Sequence, residues 1–115
     1  MIGIDIVLIK RFEHILFLEH RDAIVKKIFS EREIDMLIKY RYNKNILAGL
    51  FAAKEAVIKA SLNCLKVVDL NRIEVSWKGK DPLNISGSEV EGVGRFLVSV
   101  TYDEVHAIGV AVKPE

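Results

Sequence analysis

A helical first half followed by a strand-rich second half predicts an α+β fold for this 115-residue chain. Three observations carry the prediction. Residues 46–62 have the apolar spacing and composition of a helix, residues 73–77 and 96–112 alternate as half-buried strands do, and a β-branched run at 2–9 offers one more strand to the same sheet. The expected architecture is a single domain over 1–115, with one long helix packed across a small, mainly antiparallel sheet.

The elements follow in order. Ile2 to Ile9 is rich in β-branched side chains, is interrupted only by Gly3 and Asp5, and is short for a helix, so it reads as a strand. From Lys10 to about Phe29, Phe12, Ile15, Leu16, Ile24, Val25 and Ile28 recur at helical intervals, and the charged stretch Glu19 to Asp22 marks a break between two helices. Ser30 and Glu33 have the spacing of a capping box, which starts another helix at Ser30. Tyr40 to Asn45 reads as a loop, and ILAGLFAAKEAVIKASL from Ile46 to Leu62 is built of strong helix formers. Ile73, Val75 and Trp77 alternate with polar residues in a strand, and Gly79 to Pro82 turns the chain. Trp77 is expected in the core or at a subunit interface. Ser86 to Gly94 has three glycines and mixed polarity and predicts a loop, with at most a short strand at Leu83 to Ile85. Phe96 to Tyr102 and Val105 to Val112 form a terminal hairpin.

Composition narrows the partners. Seventeen basic and sixteen acidic side chains leave a net charge of +1, which excludes the chain-wide positive field that would favour nucleic acid or a membrane surface. Residues 1–60 carry 11 basic and 8 acidic groups, so the modest basic excess sits with the helices. Cys64 is the only cysteine, and a lone thiol reads as a small buried hydrophobe in a protein of the reducing cytoplasm. His14, His20 and His106 lack metal-ligand spacing. No apolar run approaches the length of a membrane span, and the N-terminus lacks the order of a signal peptide.

Two acidic residues stand in apolar surroundings. Asp5 interrupts an otherwise apolar strand, where an unpaired buried carboxylate costs on the order of several kcal/mol. Glu55 lies at the edge of a stripe formed by Leu47, Phe51, Ile58 and Leu62. Each has an ordinary explanation: backbone amides for Asp5, and an i,i+4 pair with Lys59 for Glu55. Together they also suit Mg²⁺, which takes one or two protein carboxylates and completes its shell with water and phosphate oxygens. Lys54 and Lys59 are then the point charges for a polyphosphate, and the constellation points to metal-assisted phosphoryl or phosphodiester transfer.

GIDIVLIKRF at 3–12, IFSEREIDML at 28–37 and LAGLFAAKEAVIKA at 47–60 resemble, in order and separation, the motifs of the holo-acyl-carrier-protein synthase family. The resemblance is close over residues 1–62 and looser beyond, through the turn Gly79-Lys80-Asp81-Pro82 and the hairpin. It implies a 4′-phosphopantetheinyl transferase that moves the phosphopantetheine arm of coenzyme A to a serine of apo acyl carrier protein and releases 3′,5′-ADP. It further implies Asp5 and Glu55 as magnesium ligands, Lys59 on phosphate, Lys54 as a further motif residue at the cofactor, Arg11 as a docking contact for the acidic carrier, a role in fatty acid biosynthesis, and a homotrimer. The chain departs from the family at Leu50, where an arginine is usual, at Tyr102, where a histidine is usual, and at Ser61-Leu62-Asn63-Cys64-Leu65, which replaces a glycine-rich turn. These departures motivate the alternative of a catalytically weak or silent carrier-binding homologue.

Overall fold

The computed structural model describes residues 1–61 and 69–114. Five strands form one antiparallel sheet in the spatial order β1-β5-β4-β3-β2: β1 is Ile2–Leu8, β2 Ile73–Trp77, β3 Ile85–Val90, β4 Gly94–Tyr102 and β5 His106–Val112. The N-terminal strand closes one edge against the terminal hairpin, with Asp5 opposite Gly109 and Ile2 opposite Val112. Helices α1 (Arg21–Ile28), α2 (Glu31–Lys39) and α3 (Lys44–Ala60) complete the α+β arrangement. The α3 helix lies across the sheet, and its buried Leu47, Leu50, Ala53 and Val57 meet Val75, Val90 and Phe96 of the strands in one core.

Local chemistry sets the helix starts. Ser30 and Glu33 form the expected capping box: the Glu33 amide donates to Ser30 Oγ at 3.3 Å and the Ser30 amide to Glu33 Oε1 at 3.0 Å. The long helix begins two residues earlier than its apolar pattern, because Asn43 Oδ1 accepts from the amides of Asn45 and Ile46 at 2.9 and 3.2 Å. Its expected end at Leu62 falls outside the described residues, as do Cys64 and most of the turn that lacks glycine.

Three expectations are corrected. Of the two helices expected between Lys10 and Phe29, the first is absent: Ile9–Phe12 and Ile15–Phe17 are short 3-10 turns, and α-helix starts only at Arg21. Phe12 and Ile15 do pack against the core, but Leu16, Phe17 and Leu18 remain exposed, so the apolar residues of this stretch do not form one covered helical face. The segment expected as a loop at Ser86 to Gly94 is largely strand β3, with Gly87 opposite Leu97 and Ser88 opposite Phe96. Its glycine serves a sheet neighbour rather than a turn: a Cβ on Gly87 would sit 3.2 Å from the Phe96 carbonyl oxygen. Leu83, expected at the start of a short strand, instead closes the preceding turn through its amide on Asp81 Oδ1 at 3.1 Å. Trp77 is half-buried, its ring under the Arg32 guanidinium at 4.2 Å.

The outer face of the sheet is unusual for a solvated surface. Ile2, Ile4 and Ile6 of β1 are 67%, 58% and 60% exposed, and their cross-strand neighbours are Val112, Val110 and Ile108. Leu97 of β4, opposite Val112, is 61% exposed and extends the same apolar face.

A candidate phosphate and metal site on one edge of the long helix

Alternation along β1 directs Gly3, Asp5 and Val7 toward α3, while the intervening isoleucines face outward. At this edge the helix sits on bare backbone. A Cβ on Gly3 would overlap the carbonyl oxygen of Ala56, and one on Gly109 would lie 2.6 Å from that of Ala52. Gly109 is the cross-strand partner of Asp5, so the carboxylate emerges between the two points of closest approach. The glycine two residues before Asp5, read above only as an interruption, therefore has a definite job: it lets the helix come close enough for side chains on its flank to reach the strand.

Those side chains are Glu55 and Lys59. Lys59 Nζ donates to Asp5 Oδ1 at 2.7 Å and to the Ile4 carbonyl oxygen at 3.1 Å, joining helix to strand. The bond to Asp5 holds the Lys59 ammonium above its usual range. Partial burial, and then the nearby charge of Asp5, push the Glu55 carboxyl up, while Lys59 pulls it down by less. Among the described residues Glu55 accepts no hydrogen bond, so the cluster of two carboxylates and one ammonium keeps one uncompensated negative charge. That is a donor set of hard oxygens suited to Mg²⁺. Among the described residues no three His, Cys, Asp or Glu side chains gather into a metal cluster, so an ion here would draw further ligands from water or phosphate.

Lys54 is not at this site, and its expected contact with cofactor phosphate is corrected. It is fully buried about 100° around the helix from Glu55. Its ammonium lies 2.6 Å from Glu33 Oε1 and donates to the carbonyl oxygens of Leu70 and Ile73 at 2.9 and 2.5 Å. Three protons meet three acceptors, which leaves none for a phosphate. Glu33 is equally buried, and its other oxygen accepts from the Val75 amide at 2.7 Å. Desolvation pushes the Glu33 carboxyl up and the Lys54 ammonium down, and the charge of each opposes the other's shift. The short contact and complete bonding favour the ionised pair, and removing one member of such a pair typically costs about 3–5 kcal/mol. Sequence reading found Glu33 only as a cap. The one signal of its second role was a lysine on an apolar helix with no acid three or four residues away on its own face.

The other expected residues lie apart. Arg11 is exposed in the first 3-10 turn. Leu50 is wholly buried in the core. The Tyr102 hydroxyl packs so tightly on Gly49 that a Cβ there would overlap it, and burial with the Asp81 charge pushes its pKa up to about 12. His106 faces Asp103 in the β4–β5 turn, with Nδ1 3.3 Å from Oδ2. No helix among the described residues is long and apolar enough to cross a membrane.

Comparison with known proteins is consistent with this geometry. Residues 1–110 match the model of the 4′-phosphopantetheinyl transferase superfamily. The chain is 34% identical over 119 residues to the holo-[acyl-carrier-protein] synthase of Caldicellulosiruptor bescii, covering 96% of this chain and 94% of that protein. It is also similar to the Helicobacter pylori holo-[acyl-carrier-protein] synthase solved in complex with coenzyme A, with a TM-score of 0.76 at 25% identity over 97% of this chain and 98% of the other. The fold is shared with the Bacillus anthracis synthase solved with CoA (3′,5′-ADP), with a TM-score of 0.70 at 23% identity, covering 96% and 91% of the two chains.

A carboxyl pushed up on folding binds its proton more tightly in the native state, so its contribution to stability falls as pH rises from its unfolded toward its folded value. Glu55→Gln should therefore raise the thermal midpoint at pH 7 in magnesium-free buffer. A lower midpoint by thermal unfolding would mean that the Glu55 charge is already compensated.

Proposed function

The chain belongs to the 4′-phosphopantetheinyl transferase superfamily as an enzyme of the holo-[acyl-carrier-protein] synthase type, and from that premise we propose that it transfers phosphopantetheine from coenzyme A to a serine of apo acyl carrier protein in a magnesium-dependent reaction. The observation that carries the reading is the meeting of Asp5, Glu55 and Lys59 at one edge of α3. The serine oxygen forms a bond to the β-phosphorus of the pyrophosphate. The bond from that phosphorus to the bridging oxygen breaks, 3′,5′-ADP leaves with the bridge, and the serine proton is released.

Asp5 and Glu55 would hold the ion. When bound, magnesium supplies positive charge against the pyrophosphate and the leaving group. Lys59 is the more exposed partner of its pair with Asp5, so its ammonium is open to an incoming phosphate. Asp5, fixed in the β1 ladder opposite Gly109, keeps its side of the site in place while Glu55 approaches from the helix.

Arg11, exposed beside β1, is the docking contact for the acidic carrier, and the exposed Leu16, Phe17 and Leu18 that follow supply apolar surface along the same segment. Residues 1–115 act as one transferase domain in the cytoplasm, serving fatty acid biosynthesis. The apolar outer face of β1, β5 and β4 supports self-association, and a homotrimer is the proposed assembly. Three chains per particle by light scattering would bear this out, and a monomer at micromolar concentration would refute it.

Incubation with coenzyme A, Mg²⁺ and apo carrier should add the mass of the phosphopantetheine arm to the carrier. Glu55→Gln should lower the rate by at least about a hundredfold, as loss of a group that stabilises transition-state charge does. An absence of transfer by the wild-type chain to several carriers would overturn the reading in favour of a silent homologue.

A further inference from the structure

The Asp5–Glu55–Lys59 cluster is assembled from two elements, so its geometry depends on how α3 is turned about its own axis. On a helix a carboxylate stands roughly 6 Å from the axis, and a rotation of about 10° moves it by about 1 Å. Gly3 and Gly109 set the depth of the helix on the sheet, but contact through bare backbone and the alanines 52, 56 and 60 offers little resistance to rolling. Beyond the packing of Leu47, Leu50 and Val57 in the core, which is not directional, the rotation is fixed by a directional contact elsewhere on the helix. The buried Lys54 side chain is that contact. It is adjacent to Glu55 in sequence, and its three bonds reach α2 through Glu33 and the entry to β2 through Leu70 and Ile73. Glu33 is itself held by the Ser30 and Val75 amides. The chain from β2 and the α2 cap to Lys54 thus consists of short, directional bonds centred on two fully buried side chains.

We infer that the Glu33–Lys54 pair is a positioning device for the site, setting the rotation of α3 so that Glu55 faces Asp5. Neither residue touches substrate. The inference deepens the transferase reading and rests on it for its kinetic consequence, but its structural consequence stands alone.

The test compares wild type with Glu33→Gln/Lys54→Met, which keeps side-chain volume and removes the charges, and with Val98→Ala, a core truncation on β4 chosen to lose comparable thermal stability. Crystal structures of wild type and the double variant report the Asp5–Glu55–Lys59 arrangement, and steady-state assays with coenzyme A and carrier separate kcat from KM. The double variant should fold, show Glu55 moved from Asp5 by about 1 Å or more, and lose about tenfold or more in kcat with KM little changed, as misplacement of a reacting group does. Val98→Ala should keep its kcat, which separates positioning from general loosening. A folded double variant with the wild-type arrangement and wild-type kcat overturns the inference. Should the double variant not fold, Glu33→Gln alone, which leaves Lys54 and its two carbonyl acceptors, is judged by the same readouts. If the wild-type chain shows no transfer, the functional reading fails, and the crystal comparison alone decides the positioning role.

Discussion

The backbone of α3 rests directly on β1 and β5 because Gly3 and Gly109 have no side chains at the two points of contact. Everything proposed for the site depends on that seat. With any larger residue there the helix would stand off by the width of a methyl group, and overpacking of this kind commonly costs about 1–3 kcal/mol. Asp5 lies between the two glycines, two residues along the strand from one and cross-strand partner of the other. The same close approach therefore seats the helix and brings its flank to the strand's only acidic residue.

Two of the ion pairs made by this helix are opposite in character. Glu33 and Lys54 are enclosed and saturated with hydrogen bonds, so neither can exchange its partner for water or substrate without leaving a bare charge in the core. Lys59 meets Asp5 at an accessible edge, where water reaches the ammonium. The lysines at 54 and 59 belong to one motif, yet one faces the core and the other the site. The helix turns by about 100° per residue, and the five-residue offset between them places the two on different flanks.

Much of the fold was legible in local pattern. The Ser30–Glu33 box, the alternation at 73–77 and the terminal hairpin depend on neighbours in sequence, and each stands as expected. Strand β3 was hidden because Gly87 and its serine neighbours look like turn formers, and only the Phe96 backbone across the ladder gives the glycine its purpose. The stretch from Lys10 misled in the opposite sense, since Phe12 and Ile15 reach the core from short 3-10 turns while Leu16, Phe17 and Leu18 stay exposed. For the site, the sequence singled out Asp5, Glu55 and Lys59 through charges placed among apolar residues, and the structure brings them together. It could not separate Lys54 from them, because the acid that satisfies Lys54 lies 21 positions earlier on another helix and is already accounted for as a cap.

The convergence of Asp5 and Glu55 is open to direct measurement without metal or substrate. Carboxyl ¹³C resonances of the magnesium-free protein, followed through pH in wild type and in Asp5→Asn, report the proton affinity of Glu55 in each. With the two carboxylates at one site, Glu55 titrates above the ordinary glutamate range in wild type and falls toward it when Asp5 loses its charge, which also frees Lys59 to approach Glu55. A Glu55 titration that is the same in both proteins would place the two groups in separate environments and contradict the account at its base.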